Sequence, residues 1–399
     1  MKRTLFPLFL LVICTCAMCT KVRPTSNIFT LKGRFTGKHA DTIFLIYKDT
    51  NGKKLEQQVY INNGTFLFKG SISSPVYADL ESNIEINPNS RSDVSNVAEI
   101  FLTPGDMTVT VRENDFDHAK ITGSPLQDEW NNLQKAEESI NQTRETLYGK
   151  MFAIERAGNT PENHKAHSSV SDQLDKYLLE RDKIDYNYIS AHPQSYLSAF
   201  LLENFANGEM RLDSIEGFYN PFSDTIKKSV SGMEIERIIK NRKVASVGNI
   251  VKMPMGLNAD DTRFDPQSLK IDNNLILYFW AGWANDNLQL KPILNKYHTH
   301  GLQILAISLE DLKDRWLDSI KSDNISNWHN IHVGLVANLD TFYNINGMPP
   351  SLLLLVDKNR KIIGRYRGRS PFYKKDYGEG DISDLNKKLA ELFSDQKKH

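Results

Sequence analysis

Leu275-Ile276-Leu277-Tyr278-Phe279 runs into Trp280-Ala281-Gly282-Trp283-Ala284-Asn285-Asp286-Asn287. The first half is a short, unbroken apolar run, the pattern of a strand buried on both faces. The second half turns small and polar. Asn285, Asp286 and Asn287 are residue types that satisfy the free N–H groups of a first helical turn, and Leu288 to Tyr297 then has the look of a helix. A strand, a tight turn and a helix in that order open an α/β unit. The alternation continues downstream. Leu302 to Ser308 is the next strand, and a helix follows through Trp316 and Ile320. Leu352 to Val356 and Lys361 to Tyr366 make two strands around the turn Asp357-Lys358-Asn359-Arg360, and an amphipathic helix closes the segment from Asp384 to Phe393.

The run Phe279 to Asn287, with Pro292 five residues beyond it, resembles the active-site segment of the TlpA-like thiol–disulfide oxidoreductases of the bacterial envelope, a thioredoxin-fold family. In that family the run is Phe-Trp-Ala-x-Trp-Cys-x-x-Cys. Further on, Tyr343-Asn344-Ile345-Asn346-Gly347-Met348-Pro349 resembles the approach to the family's cis-proline loop, which faces the redox pair. The resemblance covers roughly Val247 to Phe393 and implies a C-terminal thioredoxin-like α/β domain over residues 246–395. It also implies a larger envelope architecture, in which a β-rich domain of unknown function and a helical segment come first.

The chemistry of that family does not carry over. Its nucleophilic cysteine falls on Ala284 and its resolving cysteine on Asn287; a carboxylate of the following helix turn falls on Leu290, and Tyr278 stands where ordinary thioredoxins bury an acid. Disulfide exchange needs a thiolate to attack sulfur and a second thiol to resolve the mixed disulfide. The chain has three cysteines, Cys14, Cys16 and Cys19, and none from residue 20 to residue 399. An intrinsic dithiol activity is therefore excluded, and no catalytic residue is assigned. What the resemblance leaves is the binding half of the site: a loop whose backbone pairs with an extended peptide, beside an apolar rim of Trp280, Trp283, Met348 and Pro349. The expected partner is an extended peptide or an envelope protein. No cofactor or metal is expected.

Upstream of this domain the patterns change twice. From residue 25 to 122 the chain is rich in short β-prone runs, such as Thr42 to Tyr47, Gln58 to Ile61 and Met107 to Val111. Asn51-Gly52, Asn62-Asn63-Gly64 and Pro104-Gly105 punctuate them. Asn-Gly between such runs marks a tight turn, because both central residues need positive φ. We expect an antiparallel sandwich-like or barrel-like domain here. Ser124-Pro125 then reads as a helix start, and residues 123–245 repeat apolar positions at helical spacing, giving four or so helices. Gly158 to Ser169, with His164 and His167, reads as a polar loop rather than a metal clip, since no cysteine or placed carboxylate completes a ligand set.

The first residues read as an address. Lys2 and Arg3 precede the compact apolar run Leu5 to Ile13, too short to span a bilayer, and cysteines follow at once. Residues 1–19 resemble a bacterial lipoprotein signal, with Cys16 as the acylated residue because Ile13 and the small Thr15 stand before it. That implies export across the inner membrane and a lipid anchor at the cell envelope. Lys and Arg number 49 against 49 Asp and Glu, so no overall positive charge argues for nucleic acid. Glu310-Asp311 with His298 and His300, and the patch Arg365-Tyr366-Arg367-Gly368-Arg369, read as solvated charges, the arginines on one exposed strand face.

Overall fold

The computed structural model describes residues 27–84, 96–158, 160–207, 210–269, 271, 273–282, 287–333, 343, 351–368 and 380–395. The fold is mixed α/β, with a β-rich N-terminal region, a helical middle and a C-terminal region of thioredoxin-like topology.

Two four-stranded sheets form the N-terminal region. One joins β2 (Thr42–Lys48), β3 (Lys54–Tyr60), β5 (Val76–Ser82) and β6 (Val97–Leu102) in the order β3-β2-β5-β6, antiparallel throughout. The other has the order β4-β1-β7-β8, built from β1 (Ile28–Thr36), β4 (Thr65–Ser71), β7 (Gly105–Arg112) and β8 (Lys120–Thr122). Alternate residues such as Leu31, Leu45, Phe68 and Val109 face inward and share one core. The expectation of an antiparallel domain needs one correction, since β1 and β7 run parallel. These strands lie far apart in sequence with no hairpin between them, so local turn signals do not fix their direction. The turn signals also need refining. Asn63 and Gly64 do have positive φ, 49° and 70°, and Asn62 and Thr65 exchange backbone hydrogen bonds. Yet β3 and β4 then part into different sheets, as do β6 and β7 around Gly105, so both turns are corners of the sandwich.

Six helices follow among the described residues, more than the four or so expected: α1 (Pro125–Arg156), α2 (Pro161–Ala191), α3 (Tyr196–Asn207), α4 (Leu212–Tyr219), α5 (Asp224–Lys227) and α6 (Val230–Val244). Ser124 Oγ accepts from the Gln127 N–H and donates to the Phe101 carbonyl, so α1 starts while fastened to β6. The stretch read as a polar loop from Gly158 to Ser169 is largely the start of α2. Thr160 caps it by accepting from the Asn163 N–H, and Pro161 fits the first turn.

The C-terminal sheet has the order β11-β10-β9-β12-β13-β14. Its strands are β9 (Asn274–Trp280), β10 (Leu302–Ser308), β11 (His329–His332), β12 (Leu352–Asp357), β13 (Ile362–Arg367) and β14 (Gly380–Asp381). Strands β9, β10 and β11 are parallel; β12 runs antiparallel to both β9 and β13. Helices α7 (Asn287–Tyr297), α8 (Lys313–Ser322) and α9 (Ile382–Asp395) complete the domain. Even-numbered β9 residues, Ile276, Tyr278 and Trp280, pack with Leu290, Trp316 and Leu385 of these helices. Odd-numbered ones, Leu275, Leu277 and Phe279, pack with Val251, Met253, Phe264 and Tyr343. Burial on both faces is what made β9 an unbroken apolar run rather than an alternating one.

The arginine patch is not an exposed face. Arg365 donates to the carbonyls of Ala245 and Tyr343 at 3.4 and 3.2 Å, Arg367 is buried, and β13 lies inside the sheet rather than at its edge. Gly368 is the last described residue there, and Arg369 lies outside the described residues.

Candidate functional site

Strand β9 delivers the motif. All seven of its residues are buried, and its last carbonyl, on Trp280, accepts from the Leu309 N–H at 2.9 Å. Trp280 is 1% exposed and stacks on Tyr278 with ring centroids 6.1 Å apart. This corrects the expectation that Trp280 forms part of an apolar rim. It sits at an even position of β9, whose side chains point into the helix-covered core, so its ring is packing and not a contact surface. Trp283, Ala284, Met348 and Pro349 lie outside the described residues, as do Asn285, Asp286 and Cys16.

The motif is held at both described ends. Gly282 donates its N–H to Glu310 Oε1 at 2.7 Å. A Cβ on Gly282 would lie 2.2 Å from Ser319 Oγ of α8, so a larger residue there would require the Ser319 side chain to shift. On the other side Asn287 opens α7, is 3% exposed, and donates its side-chain amide to Asp323 Oδ2 at 2.5 Å. Its Oδ1 is buried and has no hydrogen-bond partner among the described residues. The capping role expected for Asn287 is therefore not what the structure shows: the amide reaches across to the end of α8 instead of folding back on its own helix. Gly282 and Asn287 are thus both tied to the β10–α8 unit.

Glu310 is itself fixed. Its carbonyl accepts from His332 Nε2 at 2.8 Å, and the His332 ring stacks on Trp316 at 5.2 Å. Because a carbonyl only accepts, Nε2 carries the proton. The histidine beside Glu310 is therefore His332, and not the sequence neighbours His298 and His300; the His300 ring packs on Phe393. Tyr343 ends the described approach to the second loop. Its ring lies 4.6 Å from that of Phe279, its hydroxyl donates to the Lys252 carbonyl, and burial pushes its pKa well up. Leu290, where the resembled family often places a carboxylate, and Tyr278, where ordinary thioredoxins bury an acid, are fully buried in the apolar core. Sequence reasoning did not find Glu310, Asp323 or His332 as partners of the motif. They are bonded across 28, 36 and 22 positions, and no local pattern signals such pairs.

Among the described residues this arrangement holds two donors, engaged by Glu310 and Asp323, and one amide oxygen without a partner. An amide does not ionise, so Asn287 has no counterpart to the thiolate a helix N-terminus stabilises.

A family model described as "Domain of unknown function (DUF4369)" matches residues 29–130. Among solved structures, the chain is similar to the C-terminal domain of a protein named as a thiol-disulfide oxidoreductase from Bacteroides thetaiotaomicron. Identity is 23% over 38% of this chain and 99% of that one, with a TM-score of 0.31. A domain named as a thiol-disulfide isomerase from Cytophaga hutchinsonii gives 21% identity over 39% of this chain and 97% of that chain, TM-score 0.31. The thioredoxin domain of a thiol-disulfide oxidoreductase from Bacteroides vulgatus gives 18%, 36%, 98% and 0.29 in the same order. No curated protein sequence matches the chain. Among the described residues no helix is long and apolar enough to cross a membrane.

Proposed function

We propose that this protein is a bacterial cell-envelope lipoprotein, exported and acylated at Cys16, whose thioredoxin-like domain serves as a redox-inactive module that holds an extended peptide or an envelope protein. One observation carries the redox-inactive part. The position that resolves mixed disulfides in the resembled family is Asn287, its amide engaged by Asp323, in a chain with no thiol past Cys19. The frame around it is kept. Gly282 and Asn287 tie the motif to β10 and α8 even though the motif has nothing to react with, and a scaffold held that firmly suits recognition. On this reading binding would use Met348 and Pro349, where the sequence resembles the family's peptide-pairing loop, together with Trp283 of the motif.

The test is a pull-down from envelope extract with the chain from Thr20 onward, beside the same chain carrying Trp283→Ala and Pro349→Ala. Loss of a captured protein in the double variant supports the groove; equal capture by both refutes it. Insulin reduction by the purified chain should stay at background. Reduction that appears only with a captured partner, and vanishes when the partner's thiols are alkylated, would instead make this an oxidoreductase-family protein working through a borrowed thiol.

A further inference from the structure

The two outer faces of the sandwich differ in what covers them. On the β3-β2-β5-β6 sheet, Tyr77 stacks on Phe200 at 4.9 Å and Phe101 packs against Trp130, so helices α1 and α3 lie on that face. Lys48 reaches Glu203 of α3 at 2.8 Å. Among the described residues no helix packs aromatic rings over the outer face of the β4-β1-β7-β8 sheet. Lys32 and Arg34 on β1, Lys69 on β4, Arg112 on β7 and Lys120 on β8 are all exposed.

Their common direction follows from register. Inward residues of β1 are Phe29, Leu31 and Phe35, so Lys32 and Arg34 point out. Arg34 and Lys120 both pair with Thr110, which places them on either side of one β7 residue, about 10 Å apart by strand spacing. Lys32 stands beside Leu67, and Thr30 beside Lys69. On these four strands one acid, Asp106, points the same way, next to Thr30. Among the described residues Lys32, Arg34, Lys69 and Lys120 are in no ion pair, and Arg112 reaches Asp115 at 3.6 Å. A chain with 49 basic and 49 acidic side chains has thus collected five cations against one acid on the outer face of these four strands. Exposed Leu67, at 45%, and Ile28, at 58%, belong to the same sheet.

The chain leading into this sheet has the same character. Residues 17–26, just before β1, contain Lys21 and Arg23 and no acid. Fully extended, the segment from Cys16 to Asn27 spans at most about 40 Å, close to the roughly 30 Å length of β1 itself. We propose that the outer face of the β4-β1-β7-β8 sheet lies against an anionic lipid surface, with its cations on headgroups and Leu67 and Ile28 at the interface. This rests on the lipid-anchor reading. A short tether holds the face at high effective concentration over the bilayer, and cations near such a surface each add to attachment. The C-terminal domain is then left to meet its partner.

Vesicle co-sedimentation with the chain from Thr20, which keeps every described strand and helix, tests the face without the anchor. We expect binding to phosphatidylcholine vesicles that contain phosphatidylglycerol, little binding to phosphatidylcholine alone, and a steep fall with added salt. Lys32→Glu, Arg34→Glu and Lys120→Glu together should weaken binding at least about tenfold; Lys54→Glu, on the other sheet, should leave it within about twofold. Should the triple reversal misfold, Lys32→Gln, Arg34→Gln and Lys120→Gln, checked by thermal melting, serve the same purpose. Equal binding to both vesicle types, or binding indifferent to these variants, overturns the proposal. So does binding to polyglutamate with none to vesicles, which would give the face to an acidic protein. Fatty-acid labelling of the full chain against Cys16→Ser reports separately on the anchor, so the two ideas can fail independently.

Discussion

The C-terminal sheet and the α1–α2 hairpin are held together by opposite means. Strands β9 and β12 bury almost every residue, and the core beneath them is aliphatic and aromatic, with Trp280 and Trp316 fully enclosed. The outer part of the hairpin has a thin apolar cluster, Leu147, Val170 and Leu174, with Met151 and Ile154 beside it. Nearer its base, Glu137 and Asp185 are each only 6% exposed, and Arg181 stands among them. The contrast separates two kinds of stability. The sheet rests on area removed from water, which pH does not change; the hairpin rests in part on protonation, which pH does.

Core truncation gives the largest expected effect. Trp316→Ala removes a buried ring stacked on His332 and should cost about 3–5 kcal/mol. Leu147→Ala in the hairpin should fall at the low end of its range, about 2 kcal/mol, because a two-helix arm can close over the gap. Urea unfolding of both variants checks this. A hairpin variant that unfolds the whole chain would erase the contrast.

Next comes the motif tie. Asn287→Ala leaves Asp323 without its amide donor and should cost about 1–3 kcal/mol. Hydrogen exchange should quicken in α7 and the end of α8 and stay unchanged in the sandwich. Exchange that quickens everywhere, or nowhere, would show that the tie does not hold this part of the frame.

How far the sequence foretold all this depends on whether a signal was local. Strand β9 was legible because two-sided burial writes itself as consecutive apolar residues. The start of α1 was legible because Ser124 and Pro125 are adjacent. Asn63-Gly64 announced its turn through a backbone requirement, but not that the turn joins two sheets, since direction after a corner is set by distant packing. The motif raised the expectation that dithiol chemistry is absent, through Ala284 and Asn287. It could not tell that Trp280 faces inward, because residues at a strand end carry no period of their own. Glu310, Asp323 and Arg365 were misread or missed for the same reason: each acts on a group far away in sequence.

The hairpin's dependence on pH follows in size. Burial first, and the neighbouring Glu137 carboxyl second, push Asp185 up to about 7; burial also raises Glu137. Arg181, Asp182 and Arg144 face the same pair, the arginines lowering and Asp182 raising these values. A folded-state pKa above the unfolded one means that the native state binds more protons in between. The stability contributed by this pair is therefore full below about pH 4 and declines as pH rises through about 7. Exchange protection in α1 and α2 should fall over that window while protection in β9 and β12 stays level. Asp185→Asn should flatten the profile. A profile that survives this change would move the titration to another group.

The smallest effect is expected where the helical segment meets the sandwich through charge. Lys48 Nζ lies 2.8 Å from Glu203 Oε1, but its side chain is 49% exposed while that of Glu203 is 8% exposed. Solvent screens the lysine, so Lys48→Ala should cost less than about 1 kcal/mol. Removing the lysine nevertheless leaves a mostly enclosed carboxylate unpaired, whereas removing the glutamate leaves an ammonium that water can solvate. Lys48→Ala should therefore destabilise more than Glu203→Ala does through loss of the ion pair alone, and Glu203→Gln, which keeps the shape, should be the mildest of the three. Thermal melting of the three variants at low and high salt decides it. If Glu203→Gln proves the most damaging, the contact is a desolvated pair and not a screened surface one, and the face between β2 and α3 would belong with the hairpin as charge-supported rather than with the apolar sheet.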